Sequence, residues 1–256
     1  MRRWLEETES GIGFARELGD RLAECHLSRS KAAALMHLGR QQESLAAVKL
    51  SLSLAREVGD EPAEANALVG LSATYGIAGK VDESVTAGAQ AVALYERLGA
   101  PERAVGGLIN MAAGLSQVGR DGEALPLIEK AVRLCRGTNS PHHLSACLAN
   151  YAAIMHSHGD YDPTVLDATY REAAEVNRSI GNSRYELKVL LGCGVFLEET
   201  GRDADAVRVL EDAERLGIEL AEPIHDKARD TLTRARARAA LSAAPEPPTA
   251  TASSDS

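Results

Sequence analysis

GRDGEAL, residues 119–125, decides the fold because nearly the same turn occurs five times in the chain. Its counterparts are GRQQESL (39–45), GKVDESV (79–85), GDYDPTV (159–165) and GRDADAV (201–207). The first four copies stand 40 residues apart, and the fifth follows after 42. Self-similarity at a fixed period of this length is typical of a linear array of repeated structural units.

The recurrent glycines predict where helices end. Glycine adopts the left-handed conformation that terminates a helix without steric strain, and the charged residues after it suit an exposed turn. A second glycine series lies between the copies of the first, with Gly137 approximately in phase. Its other members are Gly19, Gly59, Gly99 and Gly181. Each unit therefore consists of helix A, a turn, helix B and a second turn.

Side chains of fixed size recur around the first glycine series. Seven residues before the glycine, helix A carries Ala32, Ser72, Ala112, Ala152 and Gly194. Four residues before it stand the bulky Leu35, Tyr75, Leu115, Met155 and Leu197. Five residues after it, helix B carries Ser44, Ser84, Ala124 and Ala206. Small side chains opposite large ones let two helices approach closely, so these positions predict the contact between helices A and B.

The fourth unit departs from the common pattern. It has two extra residues before its second small position, which Ala173 takes, and Pro163 falls in the predicted turn. Because proline removes a backbone donor and restricts its neighbour, we expect this unit to be locally distorted.

The pattern resembles tetratricopeptide repeats, in which a glycine ends helix A and small residues occupy the helix contacts. The standard unit has about 34 residues. The longer period of this chain resembles the long-helix subtype of kinesin light chains and of the sensor arms of bacterial regulators. HEAT repeats have a similar period, but we do not expect them to repeat this turn so regularly. The resemblance covers residues 22–217 and implies an all-α fold, a right-handed superhelix of about five helix-turn-helix repeats.

The two ends of the chain differ from its middle, and we expect four segments. These are an N-terminal half-repeat helix (1–20), five repeats (21–217), a C-terminal capping helix (218–242) and a disordered tail (243–256). In the half-repeat, Ile12 and Phe14 fall where Leu52 and Leu54 stand in the next helix B. A terminal helix with a polar face closes a stack of repeats, and the Pro, Ala, Ser and Thr bias of the tail is typical of disorder.

Charge disfavours a nucleic-acid partner. The formal net charge is −9, whereas binding to a polyanion needs a clustered basic face. A basic run, Arg234, Arg236 and Arg238, lies near the C-terminus, but alternate residues of a helix point in different directions. We interpret this run as part of a solvated end helix.

No catalytic, cofactor or metal site is predicted. The four cysteines form no CxxC pair, so we interpret them as small core residues rather than a disulfide framework or zinc site. The chain contains no phosphate-binding loop and no GxSxG motif. His156 and His158 diverge on a helix and are poorly placed for one metal ion. Because no stretch approaches the length of a membrane span, we expect a cytoplasmic protein without a membrane partner.

Three predicted helices A carry no charge. Residues 65–78, 105–118 and 145–158 contain no Asp, Glu, Lys or Arg, and a helix without charge is normally covered on more than one side. The resemblance implies that helices A line the concave side of the superhelix, where we expect a neutral groove that binds a partner. Its predicted residues are Asn66, Val69, Ile77, Ile109, Asn110, Gln117, Asn150, Ala153 and His156, with Arg29 at one end and Lys188 at the other.

Asn110 and Asn150 occupy the same repeat position one period apart. A carboxamide both donates and accepts hydrogen bonds, and in related peptide-binding members an asparagine at this position clamps an extended peptide. The resemblance therefore implies a scaffold for protein or peptide binding, in bacterial signalling or transcriptional regulation. Two alternatives remain open: a homodimer that buries the neutral wall or the first helix, and a small-ligand receptor or enzyme that uses the same groove.

Overall fold

Helices make up all the regular secondary structure in the described part of the chain. The structure is a computed structural model that describes residues 2–138 and 140–242. Within these ranges it contains twelve α-helices, one 3₁₀ helix and no strand, which confirms the all-α prediction. The predicted tail, 243–256, lies outside the described residues.

The α-helices follow one another with short connections. They are α1 (Arg2–Glu17), α2 (Arg21–His37), α3 (Gln41–Val58), α4 (Glu61–Ile77), α5 (Val81–Arg97), α6 (Val105–Gln117), α7 (Asp121–Arg136), α8 (Pro141–His158), α9 (Pro163–Ser179), α10 (Ser183–Glu199), α11 (Asp203–Glu219) and α12 (Asp226–Ser242). The 3₁₀ helix, Pro101–Ala104, precedes α6. Five helix pairs, from α2 and α3 to α10 and α11, thus stand between α1 and α12 in the described chain.

The chain divides into two compact units, Met1–Val176 and Asn177–Ser256. In the first unit, each helix from α1 to α7 packs against the next one. Helices α2, α4, α6 and α8 also pack side by side, as helices A of successive repeats. In the second unit, α10, α11 and α12 all contact one another.

Left-handed glycines end most of the helices, as predicted. Those with φ between +67° and +80° are Gly19, Gly39, Gly59, Gly79, Gly99, Gly119, Gly159, Gly181 and Gly201. At the end of α6, the Arg120 N–H donates to the Leu115 carbonyl at 2.9 Å, and the Gly119 N–H donates to Ser116 at 3.0 Å. These bonds satisfy the last carbonyls of α6 and reverse the chain into α7.

Two positions on either side of α8, Gly137 and Pro163, differ from the sequence predictions. Gly137 does end α7, but with φ of −77°, because its N–H still bonds to the Arg133 and Leu134 carbonyls. Its assignment to the left-handed series is therefore wrong. Pro163 is the first residue of α9 rather than part of the turn, and a first helical position needs no N–H donor.

The small positions of helices A and B are joined directly. The Ser44 hydroxyl donates to the Ala32 carbonyl at 2.8 Å, and the Ser84 hydroxyl donates to the Ser72 carbonyl at 2.7 Å. In these two pairs a small residue of helix B therefore faces a small residue of helix A, because the hydroxyl must reach the backbone of the neighbouring helix. In the fifth pair the small position, Gly194, faces the large Leu210, as expected. In the third pair Ala124 takes the helix B position and is fully buried.

Glycines inside helices permit further close contacts. A Cβ atom at Gly107 of α6 would lie 3.4 Å from the Gly88 carbonyl oxygen of α5. At Gly88 itself it would lie 2.4 Å from Cγ of Met111. Neighbouring helices fill the space that these glycines leave, so their conformational cost of about 1 kcal/mol each is offset by packing.

Recurrent ion pairs join the end of a helix B to the next helix A. The N···O distances are 2.6 Å for Arg16 and Glu24, 2.7 Å for Arg56 and Glu64, and 2.9 Å for Arg178 and Glu186. Glu24 is buried, and the hydrogen bond from Arg16 lowers the pKa of its carboxyl group against the opposing effect of burial. The Glu24 carboxylate is therefore held ionised at the junction of α1 and α2.

The arginines of α12 are ion-paired, which corrects their interpretation as simply solvated. Arg234 and Arg238 both donate to the Glu198 carboxylate of α10, and Arg236 donates to Glu211 of α11 at 2.9 Å. Glu198 is 7% exposed, and the hydrogen bond from Arg234 is the largest cause that lowers its pKa. The arginine run therefore fastens α12 to the rest of the second unit.

Ala124→Leu tests the close contact between helices A and B. Because this buried position has no room for a larger side chain, we expect the free energy of unfolding to fall by about 1–3 kcal/mol. Urea unfolding followed by circular dichroism measures the change. Ala93→Leu adds the same atoms to the exposed face of α5 and should stay within about 0.5 kcal/mol of the parent. An Ala124→Leu protein as stable as the parent would contradict the close contact.

Candidate functional site

The partly exposed faces of α4, α6 and α8 form an uncharged surface in the first unit. We call this surface the neutral stripe. It consists of Asn66, Val69, Gly70, Ala73, Ile77, Gly106, Ile109, Asn110, Ala113, Gln117, Ala146, Asn150, Ala153 and Ser157. Most of these positions recur at intervals of 40 residues on three helices that pack side by side. The surface is therefore a repeated one, with equivalent side chains on successive helices.

Helices α4 and α6 approach closely within the neutral stripe. The Asn110 Nδ2 atom donates to the Val69 carbonyl at 3.2 Å. A Cβ atom at Gly106 would lie 3.1 Å from Cγ1 of Val69. Gly106 thus leaves room for Val69, and the carboxamide of Asn110 fixes the two helices at that point.

The second predicted clamp residue uses its nitrogen within its own helix. Asn150 Nδ2 donates to the Ala146 carbonyl at 2.8 Å. Across residues 2–138 and 140–242, neither Asn110 Oδ1 nor Asn150 Oδ1 accepts a hydrogen bond. Both carboxamides therefore have a fixed nitrogen and an oxygen that is available to an outside donor.

The carboxamide oxygen of Asn66 is hydrogen-bonded to a neighbouring helix rather than available to a ligand. Its Oδ1 atom accepts a hydrogen bond from the Tyr95 hydroxyl of α5 at 2.7 Å. Burial raises the pKa of Tyr95, so the phenol stays protonated as the donor, and Arg103 lies 5.2 Å from the centre of its ring. Asn66 therefore ties α4 to α5 and has less capacity for a ligand than the other two asparagines.

Four further predicted residues lie within the neutral stripe at different depths. Ile77, at the end of α4, is 52% exposed, and Gln117 is exposed at the end of α6. Ile109 is half-buried beside Asn110 in the sequence of α6, and Ala153 is exposed on α8. The exposed apolar area of the surface is thus contributed mainly by isolated aliphatic side chains.

The remaining predicted residues lie outside the neutral stripe. His156 is half-buried, with Nδ1 3.2 Å from the Tyr170 hydroxyl of α9. Arg29 is exposed on α2, and its side chain is 3.9 Å from a Cβ built on Gly70. Lys188 is exposed on α10 and belongs to the second unit. The structure therefore brings the central positions and Arg29 together in one unit.

In the described ranges there is no cluster of three His, Cys, Asp or Glu side chains that could hold a metal ion. None of the helices in those ranges is both long and apolar enough to cross a membrane.

Comparison with known proteins identifies the repeat. A family model described as tetratricopeptide repeat matches residues 22–97, which cover α2 to α5. Residues 22–97 of the chain carry tetratricopeptide repeats. No curated protein matches it in sequence.

Solved structures match the fold over most of the chain. BtubC from P. vanneervenii has a TM-score of 0.73 and 14% identity, covering 88% of this chain and 94% of BtubC. A Rap protein complexed with competence and sporulation factor has a TM-score of 0.67 and 16% identity, covering 86% and 66%. Kinesin light chain repeats from Podosopora anserina have a TM-score of 0.63 and 16% identity, covering 79% and 98%. The expected likeness to kinesin light chains is thus confirmed at the level of the fold.

The first tetratricopeptide repeat contains a groove that the sequence analysis missed. Ser28 of α2 stands where the next three repeats carry buried leucines, Leu68, Leu108 and Leu148. A groove of about 460 Å³ lies at this point, with Ile12 of α1 among its walls. The Ser28 hydroxyl is buried and has no hydrogen-bond partner among the described residues. Aligning the repeats would have revealed the missing leucine.

A second difference from the following repeats, at Lys31, makes the entrance of the groove polar. Lys31 occupies the position of Leu71, Met111 and Tyr151 in the next three repeats. Its ammonium group pairs with Glu9 of α1 at 2.7 Å. At this position α1 and the first repeat are joined by an ion pair, whereas the second and third repeats bury Leu71 and Met111.

Ser28→Leu is expected to stabilise the protein. A leucine would fill the groove as it does in the following repeats and would remove an unpaired buried hydroxyl, which together should raise the free energy of unfolding by about 1–3 kcal/mol. Urea unfolding measures the gain. Ser53→Leu, on the exposed face of α3, makes the same exchange without filling the groove and should give no gain. Destabilisation by Ser28→Leu would show that the groove cannot take an apolar side chain.

Proposed function

We propose that this protein is a non-catalytic scaffold that binds an extended peptide segment of a protein partner along the neutral stripe. The observation that carries the proposal is the pair Asn110 and Asn150. Their carboxamides are one repeat apart on adjacent helices, each fixed through its nitrogen and each with an oxygen free of hydrogen bonds within the described residues. Such an oxygen accepts a hydrogen bond from a peptide N–H.

The spacing of helices suits an extended chain. Packed helices lie about 8–10 Å apart, and an extended peptide rises about 3.3 Å per residue. Equivalent side chains on α6 and α8 would therefore meet backbone groups about three residues apart. A ligand in this conformation offers its N–H groups to both asparagines without the internal hydrogen bonds that a helix would form.

The composition of the neutral stripe indicates the kind of peptide. Ala73, Ala113 and Ala153 present methyl groups at equivalent positions, so a backbone can approach the helices closely. Ile77 and Val69 supply apolar contacts. Residues 65–78, 105–118 and 145–158 of these helices and their ends contain no Asp, Glu, Lys or Arg. The proposed ligand is therefore an uncharged or apolar segment that is recognised mainly through its backbone.

A regulatory setting is part of the proposal. The Rap protein of similar fold is complexed with a competence and sporulation factor, which supports a role for such a scaffold in signalling or transcriptional regulation in bacteria. The net charge of −9 supports a protein or peptide partner over nucleic acid. We place this binding in the cytoplasm.

The double variant Asn110→Ala, Asn150→Ala tests the proposed clamp. Peptides selected from a displayed random library against the full chain serve as probes, and fluorescence anisotropy measures their dissociation constants. Because each hydrogen bond contributes about 0.5–1.5 kcal/mol, we expect the double variant to weaken binding about tenfold or more.

Its control is Gln42→Ala, which removes a carboxamide from the exposed surface of α3 and should leave the affinity unchanged. Circular dichroism establishes that the double variant keeps its helices, since Asn110 also joins α6 to α4. Peptides that bind the parent and the double variant equally well would overturn the clamp, as would a selection that yields no binder.

Self-association is a second candidate function, favoured by α1. Phe14 of this helix is 65% exposed, and Leu18, the residue after its end, is 83% exposed. The residues that follow Phe14 at intervals of one repeat, Leu54 and Leu94, are 2% and 5% exposed. Leu54 packs against Cys25 of its own helix A, a partner that α1 does not have within the described chain. In a homodimer, a second copy of the chain would cover Phe14 and Leu18.

Phe14→Ser, Leu18→Ser separates the two candidates. If α1 forms a homodimer contact, the parent is a dimer in light scattering, and the double variant becomes a monomer because two large apolar side chains leave the interface. Val58→Ser, on the exposed end of α3, is the matched control and should leave the mass unchanged. A parent that is monomeric at high micromolar concentration would contradict this candidate and leave the peptide-binding surface open.

A further inference from the structure

Two buried thiols meet between the third and fourth repeats. Cys135 lies in the last turn of α7, and Cys147 lies in α8. Their Sγ atoms are 3.2 Å apart, and the two side chains are 1% and 0% exposed. Both are free thiols in this structure. A disulfide bond has an S–S distance of about 2.05 Å, so the sulfurs need to approach by only about 1.2 Å.

The fold itself does not require sulfur at these positions. The equivalent pair between the first and second repeats is Ala55 and Ala67, and between the second and third it is Tyr95 and Gly107. The junction thus accommodates small and large side chains, and only one of these three junctions places two thiols in contact. The two other cysteines are located differently: the Cys25 thiol donates to the Ser51 carbonyl at 3.2 Å, and Cys193 belongs to the second unit.

We propose that Cys135 and Cys147 form a redox modification site, at which a low-molecular-weight disulfide such as oxidised glutathione converts the two thiols into an intramolecular disulfide bond. The site links the end of a helix B to the following helix A. It is independent of the peptide-binding proposal, because neither sulfur lies on the neutral stripe.

The chemistry is two successive thiol–disulfide exchanges. The Cys135 thiolate attacks one sulfur of oxidised glutathione, the glutathione S–S bond breaks, and one glutathione thiolate leaves. The Cys147 thiolate then attacks the Cys135 sulfur of the mixed disulfide, and the second glutathione thiolate leaves. The protein loses two protons and two electrons, and oxidised glutathione is reduced to two molecules of glutathione.

Local structure orders these steps. The hydrogen bond with Cys147 lowers the pKa of Cys135 against the opposing effect of burial, and the position of Cys135 near the end of α7 makes it the first nucleophile. Cys135 is one residue from the end of α7, so opening of a single helical turn exposes it. Cys147 is farther from a helix end and follows once the mixed disulfide brings the reactive bond to it.

The test uses the full chain in native buffer. The protein is incubated with excess oxidised glutathione, its remaining thiols are then alkylated with iodoacetamide in denaturant, and the intact and digested chains are examined by mass spectrometry. We expect two alkylated cysteines, Cys25 and Cys193, and a disulfide-linked pair of peptides that contain Cys135 and Cys147. The oxidised protein should also have a higher Tm, because the bond restricts the unfolded chain.

Single variants separate the two steps. Cys147→Ala should stop at a stable mixed disulfide on Cys135. Cys135→Ala should form no intramolecular disulfide bond, and it should form a mixed disulfide more slowly than Cys147→Ala does. Cys25→Ala is the matched control and should give the same disulfide as the parent. Four alkylated cysteines in the parent after the incubation would overturn the proposal, and so would a disulfide that includes Cys25 or Cys193. The parent protein alone decides these two outcomes, so a variant that fails to fold does not obscure the test.

Discussion

The close contact between helices A and B is the constraint on which the other features depend. At Ser44 and Ser84 a side-chain hydroxyl bonds directly to the backbone of the partner helix, which brings the two helix axes together. A left-handed glycine then reverses the chain within two residues, so the contact recurs in each pair. Successive helices A consequently lie against one another, and their partly exposed residues form the neutral stripe.

Much of this architecture could be predicted because its determinants are local and periodic. A glycine that ends a helix and a small residue at a contact are visible in the sequence and recur in register. Gly137 could not be assigned in this way, since its conformation depends on which carbonyl its N–H reaches. The pairing of Arg234 with Glu198 was also hidden, because the partners are 36 residues apart and meet only through helix packing.

The candidate site was likewise predictable only in part. The repeat register put Asn110 and Asn150 at equivalent positions, but it could not show that one carboxamide bonds to the neighbouring helix and the other to its own. Those bonds depend on side-chain rotamers and on the room that Gly106 leaves. The contact between Cys135 and Cys147 likewise depends on how α7 turns into α8. By contrast, the serine in place of a leucine at position 28 was legible from the alignment of repeats and was overlooked.

Ser28 has a consequence for how the protein unfolds. In an array of repeats, stability is approximately a sum of intrinsic terms and of interfaces between neighbours. The junction of α1 with the first repeat combines an unpaired hydroxyl at Ser28 with an ion pair of Lys31, where the following junctions bury leucine and methionine. We therefore expect α1 to detach before the following helix pairs of the first unit unfold.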